Sequence, residues 1–475
     1  MKLNHFSVLS VLVTVACGGG GAAPGPIAPK DDSGHRTKGG QAVTKAAAAG
    51  FQRALDQFVS NDQKGAWSEA SCSSVANEFL SAATEQKSAS GKSFPEALYN
   101  AGLAFARCGQ DDKAKQQFQA AADASKDFHR ARAQLALYEY QATKNLDATI
   151  SKLEQIIRDA KFQNVEALVS VAALQMERGN DVANPDGKND LERAKLNIQR
   201  ALAIDDSFMP AFNQLSLYYL ELAKRSAEDS SKSKSKSKKR ASLVVASDKG
   251  LDVNSQQLDL AALVASQAIR KNPKYAPIHN TAGLIQVQLR NYNGAVQSFK
   301  RARTLDPKFF EAHMNYAAVN LSFRGFEEAE KAYRDALKLR PKTFEAHLGL
   351  ALALRGQIND ANFDKNVAEA QKHLDEARKI EPNRAETYYN EAILTQEYKA
   401  KGDEKNSIPM LKKAASIYDT FVSKAGAEPA FGAAVKIAKD RSQDIGDMIK
   451  FIEEGQKAAA EPPPPAPPPP AADAH

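Results

Sequence analysis

His279, His313 and His347 stand 34 residues apart, and imidazole is the commonest protein ligand for zinc and related ions. To share one ion their ring nitrogens would have to come within about 4 Å of one another. Equivalent positions in successive helical repeats are separated by at least one helix layer, about 8–10 Å. Packing between paired helices is therefore the reading of these residues, and Phe212 and Tyr388 fill the same place in other segments. No other chemistry is expected: no glycine-rich loop is followed by Lys-Ser/Thr, no two histidines sit one helical turn apart, and no GxSxG elbow occurs. The run Gly18–Gly21 neither follows a strand nor opens a helix, so it cannot cradle phosphate. The chain is read as a non-enzyme with no catalytic residue, no metal, no cofactor and no small-molecule substrate.

The first residues read MKLNHFSVLSVLVTVAC. Lys2 gives a short positive start, and Phe6 to Val15 form an apolar stretch too short to span a bilayer. Ala16 is a small residue just before Cys17, and this arrangement resembles the lipobox of bacterial lipoproteins, with Thr14 where an aliphatic residue is commoner. The resemblance implies a signal peptide over 1–16, cleavage before Cys17, diacylation of its thiol and acylation of the new amino terminus. Two or three acyl chains make a stable anchor, since each buried methylene contributes roughly 0.8 kcal/mol. The other reading is an ordinary signal peptide with a chance cysteine.

Residues 17–40 are rich in Gly, Pro and charge, and such a segment cannot bury enough apolar surface to fold. They read as a flexible tether. By family analogy, Gly18 rather than Asp favours the outer membrane. The Pro-rich segment 458–475 reads as a disordered polyproline rod, either a spacer or a ligand for a partner. The net charge of +7 is mild for 475 residues, and much of it comes from one local run, so no nucleic acid is expected. Besides Cys17 there are only Cys72 and Cys108. If 67–86 and 95–107 are antiparallel helices joined near residue 90, these two face each other. They form a disulfide in an oxidising compartment, or are two small buried hydrophobes.

Self-similarity is the strongest signal. Ala295, Phe299, Ala302, Leu305 and Pro307 recur 34 residues later as Ala329, Tyr333, Ala336, Leu339 and Pro341. Ahead of them His279, Ala282 and Gly283 match His313, Tyr316 and Ala317. Small residues stand where paired helices approach, an aromatic fills the cleft, and proline follows the second helix. The frame recurs with Ala101-Gly102, Ala114, Phe118 and Ala121; with Ala194, Ile198 and Ala201; with Ala370, Leu374, Ala377 and Pro382; and with Ala414, Tyr418 and Phe421. This resembles the tetratricopeptide repeat (TPR). It implies an all-α superhelical solenoid of about nine helix pairs, with a degenerate pair over 41–94, repeat units over 95–271 and 272–427, and a capping helix over 428–457. Trp67 is expected to open the second helix of the degenerate pair.

Extra residues fall in the turns of four units, at Asp181–Asp190, Ser226–Ser255, Gly356–Phe363 and Lys401–Ser407. The longest is expected to be disordered. It carries Lys232, Lys234, Lys236, Lys238, Lys239 and Arg240, which would meet anionic lipid head groups or an acidic partner, or form a solvated loop. TPR arrays resemble one another in presenting a concave groove built from the first helix of each unit. In that register the groove positions are Tyr99, Asn100, Asn213, Asn280, Met314, Asn315, Tyr389 and Asn390. Asn can pair with a peptide backbone, and Met and Tyr give adaptable apolar contact. The alternative is that each is an ordinary helix-surface residue. The basic clamp of chaperone-binding TPRs is not apparent at these positions.

Lipobox, tether, repeats, basic insert and Pro-rich tail together resemble bacterial envelope TPR lipoproteins, and more narrowly the TPR lipoproteins of myxobacterial adventurous gliding motility. The resemblance implies a lipid-anchored scaffold on the periplasmic side of the outer membrane, with envelope proteins of a multiprotein complex as partners. The rival is an assembly or pilotin-like TPR lipoprotein for pilus, secretin or outer-membrane protein biogenesis.

Overall fold

A computed structural model of the chain describes residues 25–26, 42–179, 187–236, 252–401 and 407–460. Cys17, most of the 17–40 tether, the segment 237–251 and everything after 460 lie outside them. The described residues contain nineteen α-helices and no β-strand. No described helix is long and apolar enough to cross a membrane.

In chain order the first eighteen helices make nine consecutive helix–turn–helix segments. They are α1 (Lys45–Lys64) with α2 (Glu69–Ser90), α3 (Pro95–Ala106) with α4 (Asp111–Ala124), and α5 (His129–Thr143) with α6 (Leu146–Asp159). Next come α7 (Val165–Arg178) with α8 (Asp190–Ile204), α9 (Met209–Lys236) with α10 (Asp252–Lys271), and α11 (Ala276–Gln288) with α12 (Tyr292–Leu305). The last three are α13 (Phe310–Ser322) with α14 (Phe326–Leu339), α15 (Phe344–Gly356) with α16 (Phe363–Ile380), and α17 (Ala385–Leu394) with α18 (Ser407–Ala425). A final helix, α19 (Gly432–Ala460), covers the apolar side of α18 through Ala434, Ala438 and Ile445. The chain divides into two compact units at Tyr316–Ala317, inside α13.

Local chemistry fixes many of the helix ends. Ser68 accepts a hydrogen bond from the Ser71 amide while the Ser71 hydroxyl answers the Ser68 amide, so α2 opens on a reciprocal cap. Trp67 lies just ahead of that cap rather than within the helix. Asn145, Asn164, Asn189 and Asn291 cap α6, α7, α8 and α12 in the same sense. Gly91 closes α2 at φ 69°, a left-handed conformation that costs other residues more.

The repeat residues do what their spacing requires. Ala114, Phe118 and Ala121 are buried on α4, and Ala295, Phe299 and Ala302 on α12. Gly102 and Gly283 let these aromatic rings lie against the backbone of the first helix. A Cβ at Gly102 would meet the Phe118 ring at 2.7 Å, and one at Gly283 would meet Phe299 at 2.5 Å. In the second unit the Tyr333 ring of α14 lies over Gly349 on α15, the first helix of the following pair, and burial raises its phenol pKa.

Insertions sit between the two helices of a pair. Helix α9 continues through the expected loop as far as Lys236, and α10 starts at Asp252, so the break between helices is shorter than the 226–255 stretch. Lys232, Lys234 and Lys236 are on the backbone of α9, while Lys238, Lys239 and Arg240 lie outside the described residues. Neighbouring first helices touch one another, α5 with α7, α7 with α9 and α9 with α11 in the first unit, and α15 with α17 in the second. In each unit that places the first helices on the inner side of the stack.

Candidate binding surface

Within each unit, polar side chains tie several first helices to the next along this inner side. Arg130 on α5 forms an ion pair with Glu166 on α7, and the Tyr140 hydroxyl donates to Glu177 at 2.8 Å. The Thr281 hydroxyl on α11 donates to Asn213 Oδ1 on α9 at 2.7 Å. Asn315 Nδ2 on α13 donates to Asn280 Oδ1 on α11 at 2.9 Å. In the second unit, Arg355 Nη1 on α15 donates to Asn390 Oδ1 on α17 at 3.0 Å.

These bonds occupy several of the residues that the sequence puts in a groove. Tyr99, Asn100, Asn280, Met314 and Asn315 are all buried. Tyr99 packs against Phe118 and Phe128, with the Arg130 guanidinium over its ring. Such positions face the seam between neighbouring first helices, one side removed from open solvent. Asn213, Tyr389 and Asn390 remain half-buried. Tyr389 leans on Phe421, and the Asn390 amide donates to the Glu386 carbonyl at 2.8 Å. The three that keep solvent access are thus Asn213 in the first unit and the adjacent Tyr389 and Asn390 in the second.

The regularly spaced histidines stitch each unit to the end of the preceding helix. Nε2 of His279, His313 and His347 donates to the carbonyl oxygens of Pro273, Pro307 and Pro341, at 3.0, 2.9 and 2.9 Å. The Tyr388 hydroxyl makes the equivalent bond to Pro382 at 3.0 Å. Each proline lies two residues past the end of a helix, where its carbonyl has no helical partner, and the side chain six residues later satisfies it. The large residue at this position is therefore a hydrogen-bond donor as well as a filler. His347 has a further partner that the spacing does not announce, because His373 on α16 lies 3.0 Å away. Among the described residues no group of three or more His, Cys, Asp or Glu is placed to hold a metal ion.

Cys72, in the first turn of α2, and Cys108, two residues past α3, are joined by a disulfide with a Cα–Cα distance of 6.3 Å. That separation lies within the usual range for such a bond.

Arg355 is a residue of this inner side that the sequence reading passed over. It is half-buried and lies among Ala351, Leu352, Ala370, Leu374, Asn390 and Leu394, which leave no room for a water molecule between them. Burial holds the Arg355 guanidinium below its ordinary pKa, opposed by Tyr398, Glu397, Tyr418 and Tyr389. The signal was present in the sequence. Arg355 follows the apolar run Leu348–Leu354 and has no acid three or four residues away on either side.

A family profile for the tetratricopeptide repeat matches residues 95–128 and 276–309, the segments of α3–α4 and α11–α12 with their following turns. No curated protein matches the chain. Solved structures with a similar fold include a thermophilic TPR protein of Thermus thermophilus, 23% identical over 48% of this chain and 99% of that one, with a TM-score of 0.37. Pseudomonas aeruginosa pilF is 16% identical over 54% of this chain and 92% of its own, with a TM-score of 0.36. A tetratricopeptide repeat protein of Parabacteroides merdae is 14% identical over 66% and 100%, also with a TM-score of 0.36. With the profile matches, the paired helices and the glycine–aromatic contacts in register, the chain is a tetratricopeptide repeat solenoid.

Proposed function

We propose that this protein is a lipid-anchored periplasmic scaffold that holds envelope proteins together in an outer-membrane complex. The observation that carries the scaffold reading is the stack of first helices, which gives each unit an inner surface of half-buried polar and aromatic side chains. TPR arrays generally work by binding other proteins, and the geometry here offers a surface for an extended polypeptide. The Cys72–Cys108 disulfide supports an oxidising compartment, where such bonds persist. The cysteine at 17 behind a short apolar stretch supports the anchor. Within this reading the gliding motility machinery is the proposed setting, by resemblance of the whole arrangement to the TPR lipoproteins of that system. An assembly or pilotin-like role in pilus, secretin or outer-membrane protein biogenesis is the second reading, favoured by the same surface and anchor.

Labelling with radioactive palmitate in a Gram-negative host tests the anchor. The native chain is expected to take up label and sediment with outer membranes, and Cys17→Ala to lose both. A Cys17→Ala protein that stays membrane-bound would contradict it. Affinity capture of the anchored chain after cross-linking in cells then separates the two settings: motility components support the first, while a secretin or barrel-assembly protein supports the second.

A further inference from the structure

The chain has 57 Asp and Glu against 64 Lys and Arg, yet not one acid lies between Asp259 and Asp306. Over residues 260–309 eight Lys and Arg stand against Asp306 alone, an excess as large as the +7 of the whole protein. Among the nine second helices, α12 alone contains no acidic residue. Elsewhere such helices pair their bases one turn away, Lys331 with Glu328 and Lys338 with Asp335 on α14, and Lys379 with Glu376 on α16. Of the eight bases, Arg303 is half-buried with its guanidinium 4.8 Å from the Tyr316 ring centre, and Arg290 stands in the turn between α11 and α12. The other six, Arg270, Lys271, Lys274, Lys300, Arg301 and Lys308, are exposed, and among the described residues none of them is in an ion pair. Their hydrogen bonds go to uncharged oxygens. Lys271 donates to the Asp206 backbone oxygen at 3.0 Å, Lys308 to that of Trp67 at 3.4 Å, and Arg270 to Ser266 Oγ at 3.5 Å.

The six gather at one edge of the first unit. Lys274 and Lys308 stand 34 residues apart, in the turns that follow α10 and α12. Beside Lys274, His279 donates to the Pro273 carbonyl; burial lowers its pKa, that bond opposes, and the charge of Arg301 adds to the lowering. Arg301 of α12 therefore reaches the turn that carries Lys274. Lys300 precedes it on the exposed side of α12, and Arg270 and Lys271 close α10. Leu263, half exposed and seven residues before Arg270, adds an apolar side chain to the same face of α10. No aromatic ring of 260–309 is exposed, so a nucleic-acid base would find nothing to stack on. Bases spread over an edge without a pocket suit a charged plane. The bond from Lys308 to Trp67 spans 241 residues of sequence and sets this edge against the turn between α1 and α2. Helix α1, with 20 residues, is about 30 Å long, and 27 residues separate Cys17 from its start at Lys45. A chain of that length keeps its ends within roughly 30 Å of each other on average.

We propose that this basic edge of α10 and α12 rests on the anionic phospholipid head groups of the membrane that holds the anchor, as a second attachment beside the acyl chains. Head-group phosphates take the place of the carboxylates that the stretch lacks. The inference rests on the anchor reading, because the anchored chain is what keeps the edge near a bilayer.

The test is flotation of the full chain carrying Cys17→Ala, which has no thiol to acylate there, with two kinds of vesicle. One is phosphatidylcholine alone, and the other is equal parts phosphatidylcholine and phosphatidylglycerol. The chain is expected to float with the mixed vesicles and not with the neutral ones, and to be released by high salt. Lys300→Gln with Arg301→Gln is expected to lower the partition coefficient about 25-fold, at about fivefold for each base. Arg270→Gln with Lys271→Gln is expected to do the same, and it serves if the first variant does not fold. Lys331→Gln with Lys338→Gln removes two exposed bases of α14 and is expected to change nothing. No flotation with the mixed vesicles would overturn the proposal, as would flotation unchanged in both edge variants or an equal loss in the α14 control. Tighter binding to polyglutamate than to the mixed vesicles, lost on the same edge substitutions, would give the edge to an acidic protein and overturn it too. The tested chain has no acyl group at position 17, so the two readings fail separately. A native chain that takes up palmitate while the Cys17→Ala chain ignores the mixed vesicles removes this inference alone. A native chain without palmitate removes the anchor reading and leaves the lipid affinity of the edge standing.

Discussion

Nδ1 of His347 lies 3.0 Å from Nδ1 of His373, while the other nitrogen of His347 donates to the Pro341 carbonyl. A carbonyl only accepts, so His347 carries its proton on Nε2 and presents a lone pair at Nδ1. The bond between the rings then requires His373 to donate. The arrangement holds with His347 neutral and fails when both rings are charged. Burial, then the neighbouring His347 and Arg334, hold the His373 pKa down to about 4, with Glu369 opposing and Lys372 reinforcing.

Stability should therefore depend on pH in a definite direction. A histidine whose folded pKa is depressed from 6.5 toward 4 binds its proton more readily when unfolded. Its contribution is complete above about pH 6.5 and is lost as pH falls toward 4. With part of the ring solvated, the loss is on the order of 1 kcal/mol. Melting of the native chain and His373→Gln across this window checks it. The native chain should lose stability more steeply, and parallel curves would show that the pair does not act this way.

The glycine–aromatic contact is the next most direct test of the packing. Gly283→Ala puts a methyl carbon where the Phe299 ring already stands, and overpacking of this kind costs about 1–3 kcal/mol. Denaturant unfolding should show that loss, whereas Gly446→Ala, with open space around it on α19, should be neutral or slightly stabilising.

The disulfide makes a third prediction. Cys72–Cys108 closes a segment with a sequence separation of 36, and a bond of that span typically contributes about 2–4 kcal/mol. Cys72→Ser with Cys108→Ser should lower the unfolding free energy by that amount, as should a reductant acting on the native chain. Equal stability with and without reductant would show that the two thiols are not joined in solution.

These tests fall on features with different legibility in the sequence. The helical pairing was readable because Gly, Ala, an aromatic and Pro recur at a 34-residue period, and each has a steric role that no other residue type fills there. The proximity of Cys72 and Cys108 followed from one short loop between antiparallel helices. Beyond nearest neighbours the sequence was silent. Asn280 and Asn315 look like groove residues in the repeat register, yet one donates to the other and both are buried, because the rotation between successive units sets which side of a helix meets solvent. The His347–His373 bond joins α15 to α16 across an inserted turn, so no fixed spacing marks it.

The central claim is that the inner, first-helix side of each unit is the docking surface, and site-specific photo-cross-linking in cells tests it most directly. A benzophenone side chain at Leu352, half-buried on the first helix α15, is expected to give discrete adducts with envelope proteins. The same group at Lys331, exposed on the second helix α14, is expected to give none. Adducts from Lys331 with none from Leu352 would place the docking surface on the other side and contradict the account.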